Sequence, residues 1–218
     1  GYRVYQLPCA NNYFARNDCS GSPNNGFEAT FSYGNVFEDN ITDRCNYGYW
    51  LGYSGLNEVR GNRSNACFTA GVAIEHGNNN IIENNEIIGS ARGIWLWTDP
   101  DDDLVGPFPD LKDSHTYTIS GNRIAGGSYG IVCEATGTDR FSYNHTIVNN
   151  TIDAAQYAIR FTRTDSSLLA GNFLRNNTTR GLWLVTSQNS TIYNNYLHNS
   201  ANAQSDGNPE GMGQTFIA

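Results

Sequence analysis

Asn80-Ile-Ile-Glu-Asn-Asn85-Glu-Ile, followed by Gly93-Ile-Trp-Leu-Trp97, carries the pattern that decides the fold. The apolar signal in these pieces has a period of two, which belongs to strands, rather than 3.6. The first piece recurs as Asn35-Val-Phe-Glu-Asp-Asn40-Ile-Thr and as Asn12-Tyr-Phe-Ala-Arg-Asn17-Asp-Cys. Its second asparagine sets a register: Asn17, Asn40, Asn62, Asn85, Asn122, Asn150, Asn172 and Asn195, spaced by 23, 22, 23, 37, 28, 22 and 23 residues. A repeat of that length means a solenoid, in which each unit buries its apolar face only against the next. The expected architecture is all-β: a parallel β-helix of about eight coils. It should occupy residues 1–201, with 202–218 as a C-terminal cap or exit loop.

Stacking the coils builds two interior columns. One holds Phe14, Phe37, Val59, Ile82, Ile119, Ile147, Leu169 and Ile192; the other holds Cys19, Thr42, Ser64, Ile87, Ile124, Ile152, Leu174 and Leu197. Strand pairing sets neighbouring coils about 4.8 Å apart, so each column is a continuous ladder. The asparagines are expected at corners, where a short amide tolerates left-handed backbone, and stacked amides can bond along the axis. Glycine before each first strand should supply the other tight corner.

The chain is acidic, at a formal charge of −8, with a single Lys (Lys112) and a single Met (Met212). That balance argues against nucleic acid or an anionic membrane surface as partner, and it weakens the case for a strongly polyanionic substrate unless a local basic patch overrides the net value. No apolar run is long enough to span a membrane. The strand-like start without a Met suggests a mature or trimmed segment, part of a longer helix being one alternative. Cys45 and Cys67 are equivalent positions on adjacent coils, with Cα atoms expected roughly 5 Å apart, within reach of a disulfide. A bridge there would imply an extracytoplasmic home; two stacked free thiols are the alternative. Seven Asn-x-Ser/Thr triplets (Asn40, Asn62, Asn144, Asn149, Asn176, Asn177, Asn189) are what Asn-rich corners generate by chance, and weakly suggest glycosylation.

Alternate residues of each first strand point outward and also stack. One outward column reads Tyr5, Glu28, Trp50, Ala73, Trp95, Val132, Arg160, Trp183; its neighbour reads Leu7, Thr30, Gly52, Glu75, Trp97, Glu134, Thr162, Val185. All four tryptophans therefore share one outer sheet, with Trp50 to Trp183 expected to span about six coil spacings. An outward Trp has no core to fill. Flat rings beside carboxylates and a guanidinium suit a sugar polymer, and a groove along a solenoid suits an elongated ligand. Burial of the Trp column under the loop 98–113, or between subunits of a homo-oligomer, would also explain it. The 15-residue excess in the spacing of 37 places the insertion 99–110 beside Trp97, and solenoid insertions gather on the binding face. Asp99, Asp101, Asp103 and Asp110 stand at positions 1, 3, 5 and 12 of a calcium-loop spacing. Leu104 takes the place of the required Gly, so a solvated acidic loop is the plainer reading and no cofactor is expected, calcium being the alternative.

Glu75 and Glu134 lie two coils apart with Trp97 between, about 9.6 Å at Cα. That suits the roughly 6.5–9.5 Å carboxylate gap of an inverting glycosidase. Glu28 is a reserve carboxylate, and His76 is a proton donor, an orienter or merely a corner residue. The candidate substrate-binding set is Trp50, Trp95, Trp97, Trp183, Arg160 and Tyr53.

Asn25-Gly-Phe-Glu-Ala-Thr-Phe-Ser, Tyr49-Trp-Leu-Gly-Tyr-Ser, Gly71-Val-Ala-Ile-Glu-His-Gly and Gly93-Ile-Trp-Leu-Trp-Thr-Asp resemble the right-handed parallel β-helix superfamily of secreted carbohydrate-active proteins, pectate-lyase-like and NosD-type repeats included. The resemblance covers nearly the whole chain, but it specifies fold and not reaction. It implies a secreted, periplasmic or cell-surface protein acting on a polysaccharide. The family's lyase chemistry implies a Lys or Arg base with calcium, whereas the one Lys here is in a loop; the paired-Asp motifs of polygalacturonases are absent. The leading expectation is a glycoside hydrolase using Glu75 and Glu134. A uronate lyase or epimerase would draw on Arg160, Arg163 and His76. A non-catalytic glycan-binding module or oligomeric spike is the third reading.

Overall fold

The computed structural model describes residues 9–100, 109–137, 139–200, 204–206 and 215–217, the last two stretches as backbone path. Every strand pairing in it is parallel, and four sheets run side by side along one axis. The broadest strands form an eight-stranded sheet: Asn25–Glu28, Tyr47–Trp50, Ala70–Glu75, Arg92–Thr98, Tyr129–Ala135, Tyr157–Thr162, Arg180–Val185 and Gln204–Asp206. A nine-stranded sheet begins at Tyr13–Ala15 and ends at Thr215–Ile217, and two five-stranded sheets complete the coils. Consecutive turns of the chain lay parallel strands side by side, a connection that is right-handed in nearly all proteins. The molecule is a right-handed parallel β-helix of about eight coils. Within 202–218, the strands at 204–206 and 215–217 add one rung each to the two largest sheets.

Both interior columns form as the register requires. Phe14 pairs with Phe37, Phe37 with Val59, Val59 with Ile82, and so on to Leu169 with Ile192. The second column runs from Ile87 through Ile124, Ile152 and Leu174 to Leu197. Between Phe37 and Ile192 the first column is buried, one continuous apolar core. At the first coil Phe14 is the end of the stack and is 36% exposed.

The corners differ from expectation in a useful way. The left-handed residue is the one before each ladder asparagine: Asp39 (φ 53°) before Asn40, Gly61 (φ 64°) before Asn62, Asn84 (φ 54°) before Asn85. The ladder asparagine itself turns inward, and from Asn40 to Asn172 it is buried. Its Oδ1 accepts both the backbone N–H and the side-chain N–H of the asparagine one coil earlier, as in Asn62 to Asn85 at 2.9 and 3.0 Å. A buried amide is tolerable only when its donors and acceptor are all used, and axial stacking uses them. A second ladder, Asn12–Asn35–Asn57–Asn80, follows the same rule on the first four coils. Asn40, Asn62 and Asn177 are 1–2% exposed, so those three triplets offer no glycan acceptor.

The strand glycines also have another role than the one expected. Gly71 and Gly93 show no positive φ and point into the core. A Cβ at Gly71 would stand 2.5 Å from Ile87 Cγ2, and one at Gly93 would stand 2.5 Å from the carbonyl of Gly130. They are small because the interior columns press against them. Cys45 and Cys67 are buried free thiols, not a disulfide. The Cys67 thiol donates to the Thr42 carbonyl at 3.2 Å and the Cys45 thiol to that of Cys19 at 3.4 Å.

Candidate functional site

Register places the outward columns as the repeat implies. Glu28 pairs with Trp50, Trp50 with Ala73, Ala73 with Trp95, Trp95 with Val132, Val132 with Arg160, and Arg160 with Trp183. From Trp50 to Trp183 there are five rungs, not six, about 24 Å at the usual strand spacing. Glu75, Trp97 and Glu134 occupy successive rungs of the next column. All four tryptophans are half-buried.

Their burial comes from one another. The Trp95 and Trp97 rings stack at 4.1 Å, and Trp97 meets Trp50 edge-on at 6.2 Å. Ala73, fully buried beneath them, and Gly52 leave the space this requires. A Cβ on Gly52 would come within 2.7 Å of the Trp50 indole nitrogen. Tyr47 closes one end, 4.9 Å from Trp50, and burial pushes its phenol pKa up. The indole N–H of Trp95 donates to Glu134 at 2.8 Å and that of Trp97 to Glu75 at 3.2 Å. Arg160 stands 3.9 Å from the other oxygen of Glu134. Glu28 is exposed at the first rung and accepts from the Asn25 amide at 2.8 Å.

A third outward column escaped the sequence reading: Asn25, Tyr47, Ala70, Arg92, Tyr129, Tyr157 and Arg180. Its signal was present, since each member directly precedes the small inward residue that opens its strand. Tyr129 and Tyr157 stack at 5.1 Å, and Tyr157 stacks on Trp183 at 5.1 Å. Arginines lie over these rings, Arg92 at 4.2 Å from Trp95 and Arg160 at 4.9 Å from Trp183. The face thus carries two aromatic groups, Tyr47–Trp50–Trp97–Trp95 and Tyr129–Tyr157–Trp183, bridged by Arg92, with Glu75 and Glu134 along one flank, Arg92 and Arg180 along the other, and Arg160 between.

Other candidates lie off this face. Tyr53 is 5% exposed in a corner, its ring between Phe31 (4.9 Å) and His76 (5.0 Å). His76 is fully buried at a left-handed corner (φ 45°). Its Nδ1 lies 2.9 Å from the Leu111 carbonyl and its Nε2 lies 3.1 Å from Asp99 Oδ1, so it anchors both ends of the insertion. Leu111 packs on Tyr53, which places the returning end of the insertion on this corner instead of over the tryptophans. Arg163 occupies the equivalent corner three rungs on, over Phe141 at 5.8 Å. The three groups named for a lyase therefore do not converge.

Asp101 and Asp103 lie outside the described residues. Among the described residues no three His, Cys, Asp or Glu side chains converge on a point that could hold a metal. A separate polar depression of about 380 Å³ lies on a narrow sheet, lined by Asn78, Asn79, Asp110, Asp113, His115 and Tyr143. His115 and Tyr143 stack there at 5.1 Å. The aromatic sheet offers a long platform, not an enclosed cavity.

Stacked coils with this sheet define a parallel β-helix repeat protein. Residues 2–107 and 110–216 match the family described as periplasmic copper-binding protein (NosD), and the chain belongs to that family. No curated protein matches the sequence significantly. Among solved structures, mutants of the tailspike protein of E. coli bacteriophage HK620, in complex with a pentasaccharide, are similar at TM-score 0.69 and 15% identity. The similarity covers 97% of this chain and 43% of the tailspike chain, so this chain spans under half the tailspike's length.

The family's copper does not fit the described residues. Copper favours converging imidazole, thiolate and thioether ligands. Here His76, His115, His145 and His198 are dispersed, and the two buried thiols of Cys45 and Cys67 donate to backbone carbonyls.

Proposed function

We propose that this chain acts outside the cytoplasm as a glycoside hydrolase on a polysaccharide laid along the eight-stranded sheet. The observation that carries the proposal is the run Trp50–Trp97–Trp95 with its two indole-bound glutamates. Sugar C–H faces stack on such rings, and the axial sheet matches an extended chain. Glu75 and Glu134 stand on the rungs either side of Trp97, about 9.6 Å apart at Cα, a spacing on the scale of the carboxyl pair of an inverting glycosidase. One carboxyl protonates the glycosidic oxygen while the other takes a proton from the attacking water. The indole N–H groups hold one oxygen of each carboxylate, and Arg160 stands 3.9 Å from the second oxygen of Glu134. The tailspike neighbours, in complex with a pentasaccharide, and the periplasmic family support a glycan and an exported protein.

A second reading is favoured by the same hydrogen bonds. If the glutamates serve only to fix the rings, the sheet is a non-catalytic glycan-binding surface. Incubation with a panel of polysaccharides, with product analysis, separates the two. Turnover that disappears in Glu75→Gln and in Glu134→Gln while both variants still bind and melt normally supports the hydrolase. Wild-type turnover in both variants would sink that assignment, and binding without product selects the module.

A further inference from the structure

The chain is acidic overall, yet Arg92, Arg160 and Arg180 all lie on its aromatic sheet. Each has its guanidinium over a ring. Arg92 lies 4.2 Å from Trp95; Arg160 lies 5.7 Å from Tyr129 and 4.9 Å from Trp183; Arg180 lies 5.5 Å from Trp183. Stacking fixes the plane of a guanidinium while its N–H edge stays free to bind a planar oxyanion through two parallel hydrogen bonds. Among the described residues neither Arg92 nor Arg180 has a carboxylate partner, and Arg160 has only Glu134 at 3.9 Å.

We infer that this face selects a polysaccharide bearing an anionic group on alternate sugars, an inference that rests on the glycan-binding reading above. Arg92 and Arg160 are two rungs apart, about 9.6 Å along the axis; they lie in different columns, but both guanidiniums lean toward the Tyr129 ring on the rung between, at 6.0 and 5.7 Å. A pyranose in an extended chain advances by close to one rung, so the two guanidiniums meet every second sugar. Arg180, on the rung after Arg160, shares the Trp183 ring with it and completes the second anion position. Glu75 stands across the tryptophans from Arg92, where it repels an anionic substituent, while Glu134 lies 3.9 Å from Arg160 and offsets part of its charge, which leaves Arg180 as the main cation of the second position.

The test is calorimetric titration of the whole chain with hyaluronan, polygalacturonate and neutral glucan oligosaccharides of matched length, at low and high salt, beside a mixed glycan array. The expected result is at least tenfold tighter binding of the alternating polymer than of the neutral one. Polygalacturonate should fall between them, and array hits should be predominantly anionic. Arg92→Gln and Arg180→Gln should bring anionic affinity down to the neutral level and flatten its salt dependence, with unchanged unfolding midpoints. Arg92→Lys, which keeps the charge and loses the fork, should recover only part. Neutral glycans bound as tightly as anionic ones, on the array or in solution, or Arg variants that keep full anionic affinity, overturn the inference. Polygalacturonate bound as tightly as hyaluronan overturns the alternate spacing. Silence across every glycan would instead remove the underlying polysaccharide reading.

Discussion

Trp95 reaches forward one rung to Glu134, its indole N–H 2.8 Å from the carboxylate. Trp97, two residues on, reaches back one rung to Glu75 at 3.2 Å. One strand therefore positions both carboxylates, and the stacked rings between them form a single rigid unit.

Trp95→Phe tests that unit, because it keeps a ring and removes one donor. Glu134 would keep Arg160 at 3.9 Å and lose its direct hydrogen bond. Stability should fall by less than about 1 kcal/mol, since the pair is partly solvated. Glycan affinity should change little, while kcat should drop roughly ten- to hundredfold as the carboxylate loses its orientation. An unchanged kcat would show that the indole does not position Glu134.

The asparagine ladder makes a prediction about stability. Asn85→Ala removes the acceptor for Asn62 N and Nδ2 (2.9 and 3.0 Å) and the donor to the Val59 carbonyl (2.8 Å). Asn62 and Asn85 are both buried, so the orphaned groups gain no water, and the cost should be on the order of 3 kcal/mol. Asn17→Ala, in the exposed first coil, should cost less than about 1 kcal/mol. Urea midpoints that fall equally for both would show that axial stacking of amides is not what stabilises the interior coils.

Both interior columns and the Trp and Glu columns were legible because burial forces a period of two and one shift would flip every side chain. The periodicity stops at the corners. Tyr53 and His76 follow strands whose outward residues they seem to extend, but left-handed backbone (φ 53° and 45°) redirects both. The column through Arg92, Tyr129 and Arg180 was missed because it lies ahead of the small residue taken as the strand's start. That His76 ties Leu111 to Asp99 depends on how a 15-residue insertion returns, which no local pattern encodes.

His145 should make stability sensitive to acid. Burial holds its imidazole neutral and lowers its pKa from 6.5 to about 3, with nearby His115 adding to the effect. Its nitrogens are already used, Nε2 by Ser142 Oγ at 2.7 Å and Nδ1 by the Tyr117 N–H at 3.3 Å. The unfolded chain therefore binds this proton more tightly, and stability falls as pH drops from 6.5 toward about 3, by on the order of 1 kcal/mol per unit. Asp165 acts in the opposite sense. Burial raises its pKa, so the folded state takes up its proton first and gains stability as pH falls. Urea titrations at several pH values should show a weaker acid dependence for His145→Gln than for wild type. Parallel curves would remove His145 as the cause.

The tryptophans should differ in a way set by their contacts, not by their position along the helix. Trp97 touches Trp95, Trp50 and Glu75, so Trp97→Ala frees two further rings and one carboxylate at once. Trp183 touches Tyr157 and two guanidiniums at the far end of the sheet, so its loss leaves the three-ring cluster intact. Removing an aromatic platform costs roughly 1–3 kcal/mol of binding. Trp97→Ala should reach the upper end of that range and also abolish turnover, while Trp183→Ala should stay near the lower end and leave kcat almost unchanged. Neither ring belongs to the interior core, so unfolding midpoints should move little. The measurement is affinity and kcat for each variant on one bound oligosaccharide, with thermal unfolding alongside. A Trp183→Ala loss equal to or larger than that of Trp97→Ala would place the centre of recognition at the arginine-flanked end. Loss of fold in Trp97→Ala, with sugar affinity of Trp95→Ala untouched, would make the cluster a structural seam and not a binding platform.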